Sequence, residues 1–379
     1  MAQGSDGAAA TGLSSLKELA FLFIRLGATS FGGPAAHIAM MEREVVQRRA
    51  WLSHEEFLDL IGATSLIPGP SSTEMAAYIG RLRAGLTGIL VAGSCFILPA
   101  VLIVGVIAWA YMQFNTLPQV GYILYGVKPV VIAVVLQALW NLLRSAFKTK
   151  FLIAMGVFAI IASFAGANVL VILLGTGFIV AAIRWITERV KSRPAPPSLL
   201  GFAPFGLLLL FLVFLKVGAL LFGSGYVLLA FLRADLVQHY GWLSEGRLID
   251  AIAIGQVTPG PVFTTATFIG YVLAGVPGAV VATVGIFLPS FFYVGLSAPL
   301  LPRVRRSPVA GAFFDGVNVG AIALMLFITW QLGRAAIVDI PTAIIAAFSA
   351  TLLLATRLNP TYLIAGGAII GFVLKLVIH

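Results

Sequence analysis

The chain has 379 residues, 60% of them hydrophobic and 10% charged, with a net charge of +10 and a mean hydropathy of +1.04. A soluble domain carries about 25% charged residues, so a water-exposed globular fold is excluded and the surface calls for lipid. The single cysteine, Cys95, excludes an internal disulfide and a cysteine-rich metal site.

The first residues are rich in Ala, Gly and Ser and lack a basic n-region, so no cleavable signal peptide is expected. Residues 1–14 read as a disordered N-terminus. A membrane helix needs roughly 20 apolar residues. Candidate segments lie at 15–33, 57–80, 86–112, 119–143, 151–166, 168–187, 202–224, 248–271, 277–300, 309–332, 336–356 and 360–378. Between the first two, Ala36 to Glu56 is charge-rich and reads as an amphipathic helix outside the hydrocarbon core. His37 and His54 lie there without metal spacing around them, and no metal or cofactor is expected. Cys95, in an apolar run, reads as a small packing residue. The polar, Pro-rich stretch 188–200 reads as a linker.

The halves on either side of that linker, 15–187 and 201–379, repeat each other. A spacing of 191 pairs Gly27 with Gly218, Phe31-Gly32 with Phe222-Gly223, and Glu44 with Asp235. It also pairs Trp51-Leu52-Ser53 with Trp242-Leu243-Ser244, Asp59 with Asp250, and Pro68-Gly69-Pro70 with Pro259-Gly260-Pro261. A spacing of 190 then pairs Gly80 with Gly270, Gly85 with Gly275, Gly88 with Gly278, and Leu98-Pro99 with Leu288-Pro289. Basic residues alternate between equivalent loops. Arg81 and Arg83 face an uncharged counterpart near Gly275, whereas uncharged Gln113 to Pro118 faces Arg303, Arg305 and Arg306. Under the positive-inside rule, such loops lie on opposite sides of the membrane, the pattern of inverted repeats. Inversion requires an odd number of crossings per half. A short 151–166 or a re-entrant Pro-Gly-Pro segment would change six to five. The fold expected is therefore an all-α polytopic membrane protein of ten to twelve segments, in two homologous, inverted repeats with broken helices.

Pro68-Gly69-Pro70 and Pro259-Gly260-Pro261 break segments 57–80 and 248–271. Each proline removes a donor and clashes with the preceding turn, and the freed carbonyls must face protein or a watery cavity. Past each break a helix restarts. Its unpaired N–H groups and the hydroxyls of Ser71, Ser72 and Thr73, or of Thr264, Thr265 and Thr267, suit a small tetrahedral dianion. The alternative is a plain kink. Phe31-Gly32-Gly33-Pro34 makes a second break, for ligand approach or for close helix packing. Arg25 and Lys216 precede these breaks at matched positions. Lys216 lies eleven residues, roughly 16 Å of helix, after Phe205, about halfway through the core. The two cations offset a bound anion, or snorkel, or form structural ion pairs. Lys128, whose counterpart is neutral Asn318, either lines the pathway or sits at an interface. Glu74 either carries protons or caps its helix. Asp59 and Asp250 are a matched acidic pair available to the cations.

Gly27-Ala-Thr-Ser-Phe-Gly-Gly-Pro34-Ala-Ala-His37-Ile, Trp51-Leu-Ser, Ile67-Pro-Gly-Pro70 and Gly80…Ala84-Gly85-Leu-Thr-Gly88 resemble the chromate ion transporter (CHR) superfamily. Gln256-Val-Thr-Pro-Gly-Pro261 and Phe268-Ile-Gly270-Tyr-Val-Leu-Ala-Gly275 repeat the pattern, so nearly the whole chain looks like its long, two-domain form. Many members place Gln shortly before the first Pro-Gly-Pro, where this chain has Ser65; the second half keeps Gln256. The resemblance implies a secondary transporter exporting chromate, with sulfate its structural mimic, across a bacterial inner membrane, driven by membrane potential or protons. It marks Phe31, Gly32, Gly33, Pro34, Pro68, Gly69 and Pro70 as motif residues. The partners expected are the oxyanion, the bilayer and a second copy in a homodimer, and no nucleic acid. An anion channel, or a carrier of another small anion, is the alternative. No metalloprotease, nucleophile-elbow or P-loop motif occurs, so no enzyme is expected.

Overall fold

A computed structural model describes residues 5–31, 33–64, 67–114, 117–146, 149–186, 206–221, 228–305, 308–356, 358 and 360–378. Among them there is no strand. The linker predicted at 188–200, together with Gly32, Ser65 and the Phe222-Gly223 motif, lies outside them.

The first repeat contains α1 (Ser5–Thr29), α2 (Gly33–Glu42), α3 (His54–Thr64), α4 (Ser71–Phe114), α5 (Pro118–Ala146), α6 (Lys150–Phe164) and α7 (Val169–Ile186). The second contains α8 (Leu207–Leu220), α9 (Leu228–Leu232), α10 (Glu245–Val257), α11 (Thr265–Arg305), α12 (Pro308–Ala336), α13 (Ile340–Ala355) and α14 (Pro360–Ile378). α1 begins at Ser5, inside the stretch expected to be disordered, where Ala8 to Ala10 favour helix. α2 and α9 each run on into a π-helical turn, Arg43–Arg48 and Arg233–His239. Among the described residues, four stretches are long and apolar enough to cross a membrane: Ser71–Phe114, Gln119–Gln137, Val262–Leu296 and Asp315–Ala336.

α4 and α11 each reverse inside their length. Ala84 and Gly85 have φ of −147° and +62°, and Ala274 and Gly275 have −148° and +62°. Only glycine takes the positive φ without strain. The reversal folds a short arm onto a long one, so that the backbones of Gly80 and Gly88 touch, as do those of Gly270 and Gly278. The short arm of α4 also folds back along α3, because the Arg83 guanidinium lies 4.8 Å from the Trp51 ring centroid. Segment 57–80 is thus a helical hairpin with Pro68-Gly69-Pro70 at its tip. α1 and α2 form another such hairpin, closed by an ion pair between Arg25 and Glu44 at 2.6 Å.

The repeats run in opposite senses. The first repeat's hairpins open at the start of the long arm of α4, where Arg83 meets Glu18 at 3.6 Å. The second repeat's α10 meets the other end of that arm, where Tyr111 donates to Asp250 at 2.8 Å. The long arms of α4 and α11 pass antiparallel: Arg81, on the short arm beside the reversal, donates to the carbonyls of Val294 and Gly295, and further along the long arm Gly93 faces the Phe291 ring. Helices α5 to α7 and α12 to α14 exchange partners. α5 packs on α13 and α14, and α12 packs on α6 and α7. Gly126 against Gly367 and Gly371, and its counterpart Gly316 against Thr176 and Gly177, let these backbones approach closely, as expected where lipid supplies no hydrophobic drive.

Candidate functional site

Each Pro-Gly-Pro tip is tied to the opposite repeat. The N–H of Gly69 donates to the carbonyl of Leu221 at 2.8 Å, and the N–H of Gly260 donates to the carbonyl of Ser30 at 2.9 Å. Ser30 and Leu221 are themselves 191 apart and stand just past the ends of α1 and α8; the Ser30 carbonyl also lies 3.1 Å from His37 Nε2. Each break is thus tied by its glycine N–H to a helix end of the opposite repeat. Behind the tips, a Cβ at Gly69 would meet Ser290 Oγ at 2.5 Å, and one at Gly260 would meet the Ala100 Cβ at 2.6 Å. Gly69, with φ +136°, and Gly260, with φ +87°, occupy backbone conformations that favour glycine. Pro70, Pro259 and Pro261 are buried and Pro68 is half-buried.

The two restarting helices differ. In the first repeat the Pro70 carbonyl accepts from the N–H groups of Thr73 and Glu74, at 2.8 and 3.0 Å. Ser71 and Ser72 occupy the first turn, where the helix supplies their N–H groups with no acceptor. Thr73 Oγ1, both oxygens of Glu74 and Ser290 Oγ are buried without a well-formed hydrogen bond. Glu74 Oε1 and Ser290 Oγ both lie against Gly69, so these groups form one closed polar cluster. In the second repeat the hydroxyls are committed to their own backbone: Thr264 donates to Pro261 at 2.8 Å and Thr265 to Val262 at 2.7 Å. Thr267 instead bonds Thr283. Gln256 is half-buried, with its Nε2 unpartnered.

The three candidate cations Arg25, Lys128 and Lys216 all have acid partners. Lys216 meets Asp235 at 2.6 Å, the counterpart of Arg25 with Glu44. Lys128 meets Asp250 at 3.1 Å. Arg25 and Lys216 therefore reach a bound anion only by exchanging partners. Asp59, the other member of the acidic pair, is exposed. Phe31 is 39% exposed and Gly33 has φ +76° with open space around it, so this break is not tightly packed. Glu44 also meets Arg48 at 2.8 Å and Arg49 at 3.7 Å. Burial pushes the Glu44 carboxyl up, but the Arg48 and Arg25 guanidiniums outweigh it and hold it below the usual carboxylate range. A cavity of about 350 Å³ beside this cluster is lined by Arg25, Thr29, Met40, Arg43, Glu44 and Arg48. No metal-binding cluster occurs among the described residues.

The model of the family described as "Chromate transporter" matches residues 17–181 and again 208–372. The chain belongs to the chromate transporter family. The two matches start and end 191 residues apart, the spacing of the repeat. This member is 32% identical to the chromate transport protein of Cupriavidus metallidurans, over 96% of this chain and 94% of the relative. It is 32% identical to a probable chromate transport protein of Synechococcus elongatus over 87% and 88%, and 30% identical to the chromate transport protein of Pseudomonas aeruginosa over 86% and 83%. No solved structure matches it. It is a multi-pass membrane transporter, and its family is not one of enzymes.

Sequence reasoning missed Ser290 and the pairing of Arg25 with Glu44 and of Lys216 with Asp235; Asp250, named there as available to the cations, meets Lys128. Ser290 had a signal: it follows the repeated Leu-Pro, where the first copy has Ala100. The pairing of Lys216 carries a test. Lys216→Ala lowers the melting temperature of the detergent-solubilised protein, because Asp235 loses its cation, and Lys216→Ala/Asp235→Ala regains most of it. If flux also returns in the double variant, the lysine is structural; flux that stays lost assigns Lys216 to the substrate.

Proposed function

We propose that this protein exports chromate, with sulfate as a structural mimic, as a secondary transporter of the bacterial inner membrane, holding the oxyanion near mid-depth between the two repeats. The observation that carries this reading is the reciprocal tie of the Pro-Gly-Pro tips, Gly69 to Leu221 and Gly260 to Ser30. A hairpin tip anchored on the opposite repeat moves whenever the repeats rock against each other, which is what alternating access requires. The N-terminus of α4, with Ser71, Ser72 and Thr73, offers hydrogen-bond donors and the positive end of a helix dipole to an anion. On the second side stand Gln256, Pro259, Gly260, Pro261 and Thr264. The motif residues Phe31, Gly32 and Gly33, and Pro68, Gly69 and Pro70, complete the proposed set, with Ser30, next to Phe31, tied to Gly260. Lys128, Arg25 and Lys216 supply positive charge along the way once they leave their acids. Glu74, in the polar cluster behind the tip, couples the movement to protons.

Orientation follows from charge. Arg48, Arg49, Arg81 and Arg83 cluster where the first repeat's hairpins open, and the basic end of α11, with Arg303 and Arg305, lies toward the same face. The positive-inside rule makes this the cytoplasmic face. Inside-out vesicles containing the protein are expected to accumulate chromate, sulfate to compete, and an uncoupler to abolish accumulation. Absence of movement of either anion sinks the reading. Single-channel conductance assigns the chain to channels instead.

A further inference from the structure

The cavity between α1 and α2 has more positive charge than an ion pair needs. Arg25, Arg48 and Arg49 surround the single carboxylate of Glu44, at 2.6, 2.8 and 3.7 Å. Arg43 lines the same cavity and makes no ion pair among the described residues. Four guanidiniums therefore face one acid, an excess of three charges. At the equivalent place in the second repeat Lys216 meets Asp235, while Arg43, Arg48 and Arg49 are replaced by Ala234, His239 and Tyr240. Repeat symmetry and the closing of a hairpin explain one cation at each site. They do not explain the three extra arginines at one face only.

We infer that this cavity is an oxyanion-capture site at the basic mouth of the protein, and that the Glu44 carboxylate occupies the place where the anion docks. The inference rests on the transport reading above for its direction, but not for the binding itself. Guanidinium groups present paired N–H donors that match carboxylate and tetrahedral oxyanion alike, so the groups that hold Glu44 are the groups that hold a sulfate-like dianion. The cavity's 350 Å³ takes such an ion with several waters, at roughly 30 Å³ per water. Glu44 is tethered, and its effective concentration at the arginines is on the order of millimolar or higher. A monoanion offers the arginines no more charge than Glu44 does and is outcompeted. A dianion offers twice as much and displaces it. The carboxylate also keeps the site from binding so tightly that the ion cannot move on toward the hairpin tips.

Equilibrium dialysis of radiolabelled sulfate against the purified full chain in detergent tests this, with chromate and chloride as competitors. Wild type is expected to bind sulfate, chromate to compete and equimolar chloride not to. Glu44→Gln tightens sulfate binding about tenfold and lets chloride compete. Arg43→Ala, at an exposed position with no ion pair, weakens binding severalfold and raises the KM for chromate in inside-out vesicles without changing the maximal rate. Should Glu44→Gln fail to fold, Arg43→Ala decides alone. Wild-type binding and KM in Arg43→Ala, or unchanged affinity in Glu44→Gln, overturn the capture site even if the vesicles transport chromate normally. Sulfate binding with these variant effects, in a protein that moves no anion, sinks the transport reading and leaves the capture site standing.

Discussion

Alanine at Gly69 or at Gly260 abolishes chromate accumulation per molecule of protein in the membrane, with Gly260→Ala the more severe. Both positions combine two costs. Their φ angles of +136° and +87° impose strain of about 1–3 kcal/mol on a residue with a Cβ. A methyl group inserted into a filled space adds typically about 1–3 kcal/mol. At Gly69 the methyl would press on the side chains of Glu74 and Ser290, which have some freedom to rotate. At Gly260 it would meet the Ala100 Cβ at 2.6 Å and the Gly27 carbonyl at 3.1 Å, and neither can turn aside. The N–H donated to the opposite repeat then shifts, and with it the tie that lets one repeat feel the other. Gly166→Ala is the control. Its φ is +81°, but a Cβ there meets open space in the turn between α6 and α7. It costs about 1–2 kcal/mol and leaves flux intact. Flux is measured in vesicles normalised to protein by immunoblot. Half or more of wild-type flux in Gly260→Ala removes the tips from the mechanism.

The duplication was legible because it is a matter of spacing. Gly27 and Gly218, 191 apart in the sequence, do the same thing in space: a Cβ on either would strike the backbone of the long arm crossing it, at Phe96 and at Ile286. The inverted sense was legible from charge, since equivalent loops of which one is basic and the other uncharged fall on opposite sides of a bilayer under the positive-inside rule. What spacing could not reveal is which copy a residue bonds to. Gly69 bound to Leu221 and Gly69 bound to Ser30 leave the same trace, because Ser30 and Leu221 are themselves equivalent.

The ion pairs were hidden for a different reason. Arg25 and Glu44 are 19 residues apart, roughly 28 Å on a continuous helix. Only the hairpin brings them to 2.6 Å. The ion-pair alternative for Arg25 and Lys216 consequently had no partner legible in the sequence, where each in fact has an acid at the matching position. The Thr264 hydroxyl was similarly ambiguous. A threonine at a helix start can face a ligand or turn back on the chain, and here it turns back to Pro261. The unmatched residues turned out to mark the polar cluster. Glu74 has no acidic counterpart and Ser290 stands where the other copy has Ala100, and the two lie together against Gly69.

Glu74→Gln is the second change with a large expected effect. It should cut chromate accumulation driven by an imposed pH gradient about tenfold or more, while leaving exchange of labelled for unlabelled chromate nearly intact. Glu74 is fully buried, both of its oxygens lack a well-formed hydrogen bond, and no cation pairs with it among the described residues. A carboxylate charge held in that way is unfavourable by several kcal/mol, whereas a proton or an approaching cation removes the penalty. The residue therefore suits a group that changes charge during the cycle and does not suit a static helix cap, which would be exposed or hydrogen-bonded. Glutamine keeps the shape and the bulk against Gly69 and Ser290 but cannot take up or release the proton. Folding should survive, with the melting temperature unchanged or raised, because no charge remains to be buried. Loss of coupling with exchange preserved separates a proton carrier from a substrate ligand, whose removal would lower both. Wild-type accumulation under a pH gradient in Glu74→Gln would exclude Glu74 as the coupling group and move the search to the acids that hold the cations, Asp235, Asp250 and Glu44.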